Sequence, residues 1–407
     1  MGQVPEHWKV ARVKRLASLR NERRNDVSTD TIYIGLEDVE AGSGQYKPTN
    51  GSSRQSEDST VGIFYEGDVL YGKLRPYLRK AIISEMAGCC STEFLVLRAE
   101  KTEPRWLQEW LLTPDVTHQI VSGCEGAKMP RADWGHIGSI EVVYPDQPEQ
   151  AKILTSLDRE TARIDALIEK KTRFIELLNE KRQALITHAV TKGLDPNVKM
   201  KDSGIEWIGQ VPEHWKVARV KRLASLRNER RNDVSTDTIY IGLEDVEAGS
   251  GQYKPTNGSS RQSEDSTVGI FYEGDVLYGK LRPYLRKAII SEMAGCCSTE
   301  FLVLRAEKTE PRWLQEWLLT PDVTHQIVSG CEGAKMPRAD WGHIGSIEVV
   351  YPDQPEQAKI LTSLDRETAR IDALISKAEQ SITLLKERRA AFITAAVTGQ
   401  IDLRGKQ

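Results

Sequence analysis

Pro148-Glu149-Gln150-Ala151-Lys152-Ile153-Leu154-Thr155-Ser156-Leu157 opens a stretch that reaches Lys192 with no glycine and no further proline. Leu157, Ile164, Leu178 and Leu185 fall on a seven-residue grid interrupted by Lys171, and Leu167 and Phe174 follow three residues after Ile164 and Lys171. That spacing predicts the a and d seam of one long helix. Asp146 and Glu149 suit a capping-box start, Pro148 a first turn, and Gly193 with Pro196 a stop. At 1.5 Å rise per residue the helix would be roughly 65–70 Å long. So long a helix with so narrow an apolar stripe needs a partner.

The partner lies in the same chain. Pro355 to Thr398 repeats the pattern, with Leu364, Ile371, Leu385 and Phe392 on the grid and Ala378 in the place of Lys171. Gly2 through Ile168 recurs unchanged as Gly209 through Ile375, an offset of 207 residues. The helices then diverge but keep register: Leu177-Leu178-Asn179-Glu180-Lys181-Arg182 answers Leu384-Leu385-Lys386-Glu387-Arg388-Arg389. Identity over 167 residues implies a very recent duplication, gene conversion or engineering. The domains expected are a globular unit at 1–146, a long helix at 147–194, a polar linker at 195–208, a second globular unit at 209–353 and a second helix at 354–401. The fold class is α+β.

The 407 residues are 39% hydrophobic, enough for a core in each unit, and the net charge is −3. Any nucleic-acid binding must therefore come from local basic clusters. No window approaches the ~18 apolar residues of a membrane span, and no secretory signal precedes Val4-Pro5-Glu6. The six cysteines, three per repeat, lack zinc-site spacing and read as core residues in a reducing cytoplasm.

Within the first unit we expect a short helix over Arg12–Leu19 and a strand over Thr31–Glu40 with Ile32, Ile34 and Leu36 on one face. Gly42–Ser59 reads as a long loop. Further strands fall in Gly67–Ile83, Thr92–Leu97 and Gly138–Tyr144. Pro104–Leu112 and Pro114–Ser122 read as helices, the second capped by Thr113 and stopped by Gly123.

The most informative basic segment is Tyr71-Gly72-Lys73-Leu74-Arg75-Pro76-Tyr77-Leu78-Arg79-Lys80. If extended, it puts Lys73, Arg75, Tyr77 and Arg79 on one face, as would Lys280, Arg282, Tyr284 and Arg286 in the second unit. Cations flanking an aromatic suit contacts to phosphates and base edges; the competing reading is a solvated surface strand. Lys128 and Arg131, with Lys335 and Arg338, sit on a Gly- and Pro-bearing loop that could meet a phosphate or be an ordinary turn. Arg20, Arg23 and Arg24 carry a similar signal, with Glu22 and Asp26 close by as neutralising partners. Glu93 could accept from a cytosine amine or be structural. There is no GxxxxGK[ST], no Rossmann fingerprint, no HExxH and no Asn-Pro-Pro-aromatic box. Pro145-Asp146 with Glu149 and Lys152 has the wrong spacing for a nuclease cluster, and the histidines have no metal spacing.

Several stretches together resemble the specificity subunit of a type I restriction–modification system. They are Asp202-Ser203-Gly204-Ile205-Glu206-Trp207-Ile208-Gly209 with Val211-Pro212-Glu213-His214-Trp215, Gly72-Lys73-Leu74-Arg75-Pro76-Tyr77, Ser91-Thr92-Glu93-Phe94-Leu95-Val96-Leu97, Pro148-Glu149-Gln150 and Thr187 to Gly193. The resemblance covers essentially the whole chain. It implies two target-recognition domains, each reading half of a split double-stranded DNA site, spaced by two antiparallel helices about a pseudo-twofold axis. It also implies methyltransferase subunits, two of them, that hold S-adenosylmethionine, and restriction subunits that use ATP and Mg. The chain itself would hold no cofactor, metal or catalytic residue and would work in the cytoplasm. Two departures stand out. The first repeat lacks the Asp-Ser-Gly-Ile-Glu-Trp-Ile lead, so its N-terminal packing should differ, and the two domains are identical where the family pairs different ones. Identical readers predict an inverted-repeat site. The alternative is a coiled-coil scaffold whose globular units bind protein.

Overall fold

A computed structural model describes residues 4–28, 30–48, 59–124, 128–235, 237–256, 266–331, 335–401 and 403. The first globular unit opens with β1 (Lys9–Arg12), a 3-10 turn at Val13–Arg15 and β2 (Ala17–Arg20). There follow β3 (Arg23–Arg24), β4 (Tyr33–Ile34), β5 (Val61–Phe64), β6 (Val69–Gly72), β7 (Ala81–Ile83), β8 (Gly88–Cys90) and β9 (Phe94–Ala99). Three helices, α1 (Pro104–Leu111), α2 (Pro114–Ser122) and α3 (Trp134–Ser139), precede β10 (Glu141–Tyr144) and the long α4 (Gln147–Lys192). β11 (Met200–Asp202) pairs with β12 (Gln210–Pro212), the first unit's pattern recurs from β13 (Lys216–Arg219) to β22 (Glu348–Tyr351), and α8 (Gln354–Val397) follows.

Two four-stranded sheets, ordered β2-β9-β6-β7 and β3-β5-β8-β4, carry each domain, and β1 pairs with β10. The first sheet is covered on both faces. Val69, Tyr71, Ala81 and Leu97 pack against the helices. Their neighbours Leu70, Ile82 and Val96 meet Phe64 and Cys90 of the other sheet. Alternation along the pleat sends successive residues to opposite faces, so a doubly covered strand is apolar throughout, as Val69-Leu70-Tyr71 is.

Several local expectations are corrected, two of them because the elements are shorter than the patterns suggest. Arg12–Leu19 is not a helix but a 3-10 turn between two strands. Thr31–Glu40 is extended only at Tyr33–Ile34 before a 3-10 turn at Leu36–Asp38. Thr113 precedes α2, but its hydroxyl donates back to the Trp110 carbonyl at 2.8 Å instead of capping the helix. The loop predicted at Gly42–Ser59 lies at 49–58 outside the described residues. Segment 195–208 is more than a linker: it supplies β11, and Ile205, Trp207 and Ile208 join an apolar cluster.

The chain divides into two compact units, 1–172 with 379–407, and 173–378, so each takes half of both long helices. In the first, Leu157, Ile153 and Leu154 of α4 pack with Ile393, Ala396 and Val397 of α8. In the second, Ile186, Ala189 and Val190 of α4 meet Ile360, Leu361 and Leu364 of α8. Early residues of one helix thus meet late residues of the other, which is antiparallel packing. Arg389 reaches Asp165 at 2.9 Å, and its counterpart Arg182 reaches Asp372 at 3.5 Å. Ile164, Leu178 and Ile371 are buried; Leu185, Leu385 and Phe392 are half-buried. The d positions Leu167 and Phe174 do not join a seam: they are 42% and 45% exposed.

Side chains at its N-terminus fasten α4 to the first domain. Asp146 accepts from the Glu149 N–H at 2.9 Å, the N-capping bond, and the Glu149 carboxylate takes His7 Nε2 at 2.8 Å and Trp8 Nε1 at 3.3 Å. Gln150, wholly buried, accepts from the Thr102 hydroxyl and the Glu103 N–H, both at 2.9 Å, and donates to the Pro145 carbonyl at 3.0 Å. Trp8 meets Trp106 edge-on at 5.7 Å. Ile401 and Leu403, beyond α8, enter the Trp8 cluster; in the second unit Ile205, Trp207 and Ile208 lie in the corresponding Trp215 cluster.

Candidate nucleic-acid interface

β6 delivers the basic segment to the edge of the domain, and the chain there leaves the sheet. Lys73 N–H donates to the Glu93 carbonyl, Ala132 N–H to the Lys73 carbonyl and Arg75 N–H to the Pro130 carbonyl, each at 2.9 Å. Leu74 and Arg131 form an antiparallel bridge. Two basic stretches distant in sequence therefore lie side by side, and both are backbone-tethered.

The segment is not a strand with four side chains on one face. Arg75 (φ 53, ψ 61) and Arg79 (φ 50, ψ 59) are left-handed and bracket a 3-10 turn at Pro76–Leu78. Pro76 suits the first helical position. The left-handed region costs a residue with a Cβ about 1–2 kcal/mol. Among the described residues the only non-glycines with positive φ are these two arginines and their copies Arg282 and Arg286. Such strain concentrates where a particular side chain is held for use.

The turn separates the predicted set. Arg75 is exposed, Tyr77 is half exposed and Lys73 is half-buried. Lys128 and Arg131 are exposed beside them, with Met129 at 56%. Arg79 turns away, its guanidinium directed at the Leu112 carbonyl at 3.5 Å, and its carbonyl accepts from the Gly42 N–H at 2.9 Å. Arg286 likewise faces the Leu319 carbonyl at 3.4 Å and also donates to Gln183 of α4 at 3.1 Å. Lys280, Arg282, Tyr284, Lys335 and Arg338 repeat the arrangement of the first domain.

Glu93 is engaged within the domain. Its Oε1 pairs with Arg131 at 3.0 Å, while Oε2 is buried without a hydrogen-bond partner. Arg23 and Arg24 form the edge strand of the other sheet. Arg24 pairs with Glu22 at 2.8 Å, and Arg20 forks onto Asp68 at 2.8 and 3.1 Å while stacking on Tyr65. Among the described residues none of these ion pairs reaches the 73–79 turn. Sequence reasoning missed Met129 and Gln183; nothing in their local pattern marks either.

No protein-family model matches the chain. It is 21% identical over 346 residues to the Type I restriction enzyme EcoDI specificity subunit of Escherichia coli, covering 81% of this chain and 74% of that one. A solved chain from work on complex assembly and conformational transition of the type I R-M system superposes with a TM-score of 0.70 at 16% identity, covering 98% of this chain and all of that one. The HsdS subunit from Thermoanaerobacter tengcongensis gives 0.53 at 18% identity, over 98% of this chain and 99% of that one.

Proposed function

Because the chain is a homologue of type I restriction–modification specificity subunits and has their fold, we propose that it is the DNA-reading subunit of such a complex and binds a split inverted-repeat site. The observation that carries this reading is the paired basic turn. In each domain Arg75 and Tyr77, or Arg282 and Tyr284, stand exposed on a strained turn tethered to the loop that bears Lys128 and Arg131, or Lys335 and Arg338. Lysines on such a surface meet phosphates, and an arginine can fork onto a guanine edge. Two domains of one sequence read one half-site each, and the long helices fix the spacer. Methyltransferase subunits, two per chain, would supply adenine methylation with S-adenosylmethionine, and restriction subunits would use ATP and Mg; this chain performs no chemical step in that scheme. The complex would act in the cytoplasm.

The test is a methylation map of DNA from cells expressing the chain with a cognate modification subunit, followed by binding to the recovered site across a salt series. A split palindromic adenine motif, with affinity that falls steeply with salt, is expected. An asymmetric motif would refute the inverted-repeat reading. Salt-independent capture of protein partners with no DNA affinity would favour the scaffold alternative.

A further inference from the structure

The two reading domains are identical in sequence from Gly2–Ile168 to Gly209–Ile375, so any difference between them must come from what they pack against. One such difference touches the basic turn. In the second unit the guanidinium of Arg286, which closes the turn bearing Arg282 and Tyr284, donates to Gln183 Oε1 of α4 at 3.1 Å. The Gln183 amide nitrogen in turn faces the Thr187 hydroxyl at 3.4 Å, an arrangement that leaves Oε1 as the acceptor. The position of α8 that corresponds to Gln183 in the repeat is Ala390. A methyl group accepts no hydrogen bond, and among the described residues the Arg79 guanidinium keeps only the long contact to the Leu112 carbonyl. Charge on the helices does not distinguish the units, since Lys386 of α8 acts on Glu40 and Arg182 of α4 on Glu247, and such largely exposed attractions are weak and screened by salt.

We infer that Gln183 is a positioning residue that latches the second reading turn to its spacer helix, so that two domains of identical sequence bind their half-sites with unequal strength. The turn is strained at both ends, at Arg282 and Arg286. A latch on one end reduces the freedom that the turn loses when it meets DNA, and preorganisation of that kind raises affinity without adding a contact to the ligand. The latched turn should therefore contribute more than the unlatched one. This inference rests on the DNA-reading function proposed above.

The experiment uses the full-length chain, assembled with its modification subunits, and a duplex carrying the split site recovered by methylation mapping. Arg75→Ala disables the turn of the first domain and Arg282→Ala that of the second; alanine keeps the Cβ, so the backbone strain is unchanged. The expected result is that Arg282→Ala loses roughly three- to tenfold more affinity than Arg75→Ala, the range of one net hydrogen bond. In a Gln183→Ala background the two losses should become equal, and Ala390→Gln should strengthen binding and narrow the gap from the other side. Gln183 is half-buried on a helix surface, and an unchanged melting temperature for Gln183→Ala shows that the scaffold is intact. Equal losses in the parent chain overturn the inference while leaving the DNA-reading function standing. A gap that persists without Gln183 overturns the latch. If neither arginine variant changes affinity, the reading function itself fails and takes the inference with it.

Discussion

Replacing Arg75 and Arg282 by glycine separates what these residues do for the fold from what they do for a ligand. Both have left-handed backbones, at φ 53 and 51. Arginine pays about 1–2 kcal/mol for that region and glycine does not. Glycine in turn adds about 0.5–1 kcal/mol of unfolded-state entropy. The difference is a gain of about 0–1.5 kcal/mol per site, or about 0–3 for the double variant when the two contributions add. Neither arginine is buried, so no packing is lost. The DNA side moves in the opposite direction. If each guanidinium contacts a phosphate, losing two lowers the slope of log affinity against log salt by about 1.8. If each instead forks onto a guanine, specific affinity falls by about 1–3 kcal/mol per site. Denaturant titration and fluorescence anisotropy over a salt series read the two quantities on one preparation. The double glycine variant should be at least as stable as the parent and bind DNA more weakly. A variant that is less stable yet binds undiminished would show that the arginine side chains serve the turn, refuting the argument from strain to ligand.

Other consequences can be checked independently. Gln150→Ala leaves the buried Thr102 hydroxyl and Glu103 N–H without their acceptor and should cost at least ~1–3 kcal/mol in chemical denaturation; an unchanged midpoint would deny its part in docking α4. Leu157→Ala, at a wholly buried position, should cost ~2–5 kcal/mol, whereas Leu167→Ala, 42% exposed, should stay within about 1 kcal/mol; equal costs would restore Leu167 to the seam. Glu93→Gln with Glu300→Gln frees Arg131 and Arg338 from their ion pairs, so binding to mixed-sequence DNA should tighten and its salt slope steepen by up to ~1.8; no change in slope would place these arginines away from the DNA. Burial pushes the Cys90 thiol up to about 12, so a thiol reagent at neutral pH should label half-buried Cys124 before Cys90 in the native state, and the reverse order would contradict the sheet packing.

The long helices were legible because their signal is repeated: an apolar grid from Leu157 to Leu185, in a helix of 46 residues, outlasts its exception at Lys171. The grid could not say which of its positions find a partner. Leu167 and Phe174 satisfy the spacing as well as Leu157 does, yet only a surface opposite decides burial. In the domains the reverse holds, because strands of two to six residues carry too few repeats to announce a period. The residues of the basic turn were legible as a composition of cations around an aromatic. Its shape was not, because Pro76 interrupts the alternation and a left-handed arginine has no sequence mark. Arg79 illustrates the consequence: two residues from Tyr77, it was assigned to the same face, and the turn directs it inward to the Leu112 carbonyl.

The Trp8 cluster also bears on how freely the repeats can be ordered. Gly399, just past α8 at φ 73, lies so close to Pro5 and Trp8 that a Cβ there would come within 2.8 Å of the proline ring, and Ile401 and Leu403 continue along the same cluster. Residues near the two ends of the chain are thus spatial neighbours, while the segment at 195–208 occupies the corresponding place between the repeats. A short peptide joining Leu403 to Val4 would close the chain into a ring with two nearly equivalent seams, and reopening it between Gly193 and Met200 would give a circular permutant with the same packed halves. The Trp8 and Trp215 clusters would then each be closed by a covalently continuous segment, whichever repeat came first in the permuted chain.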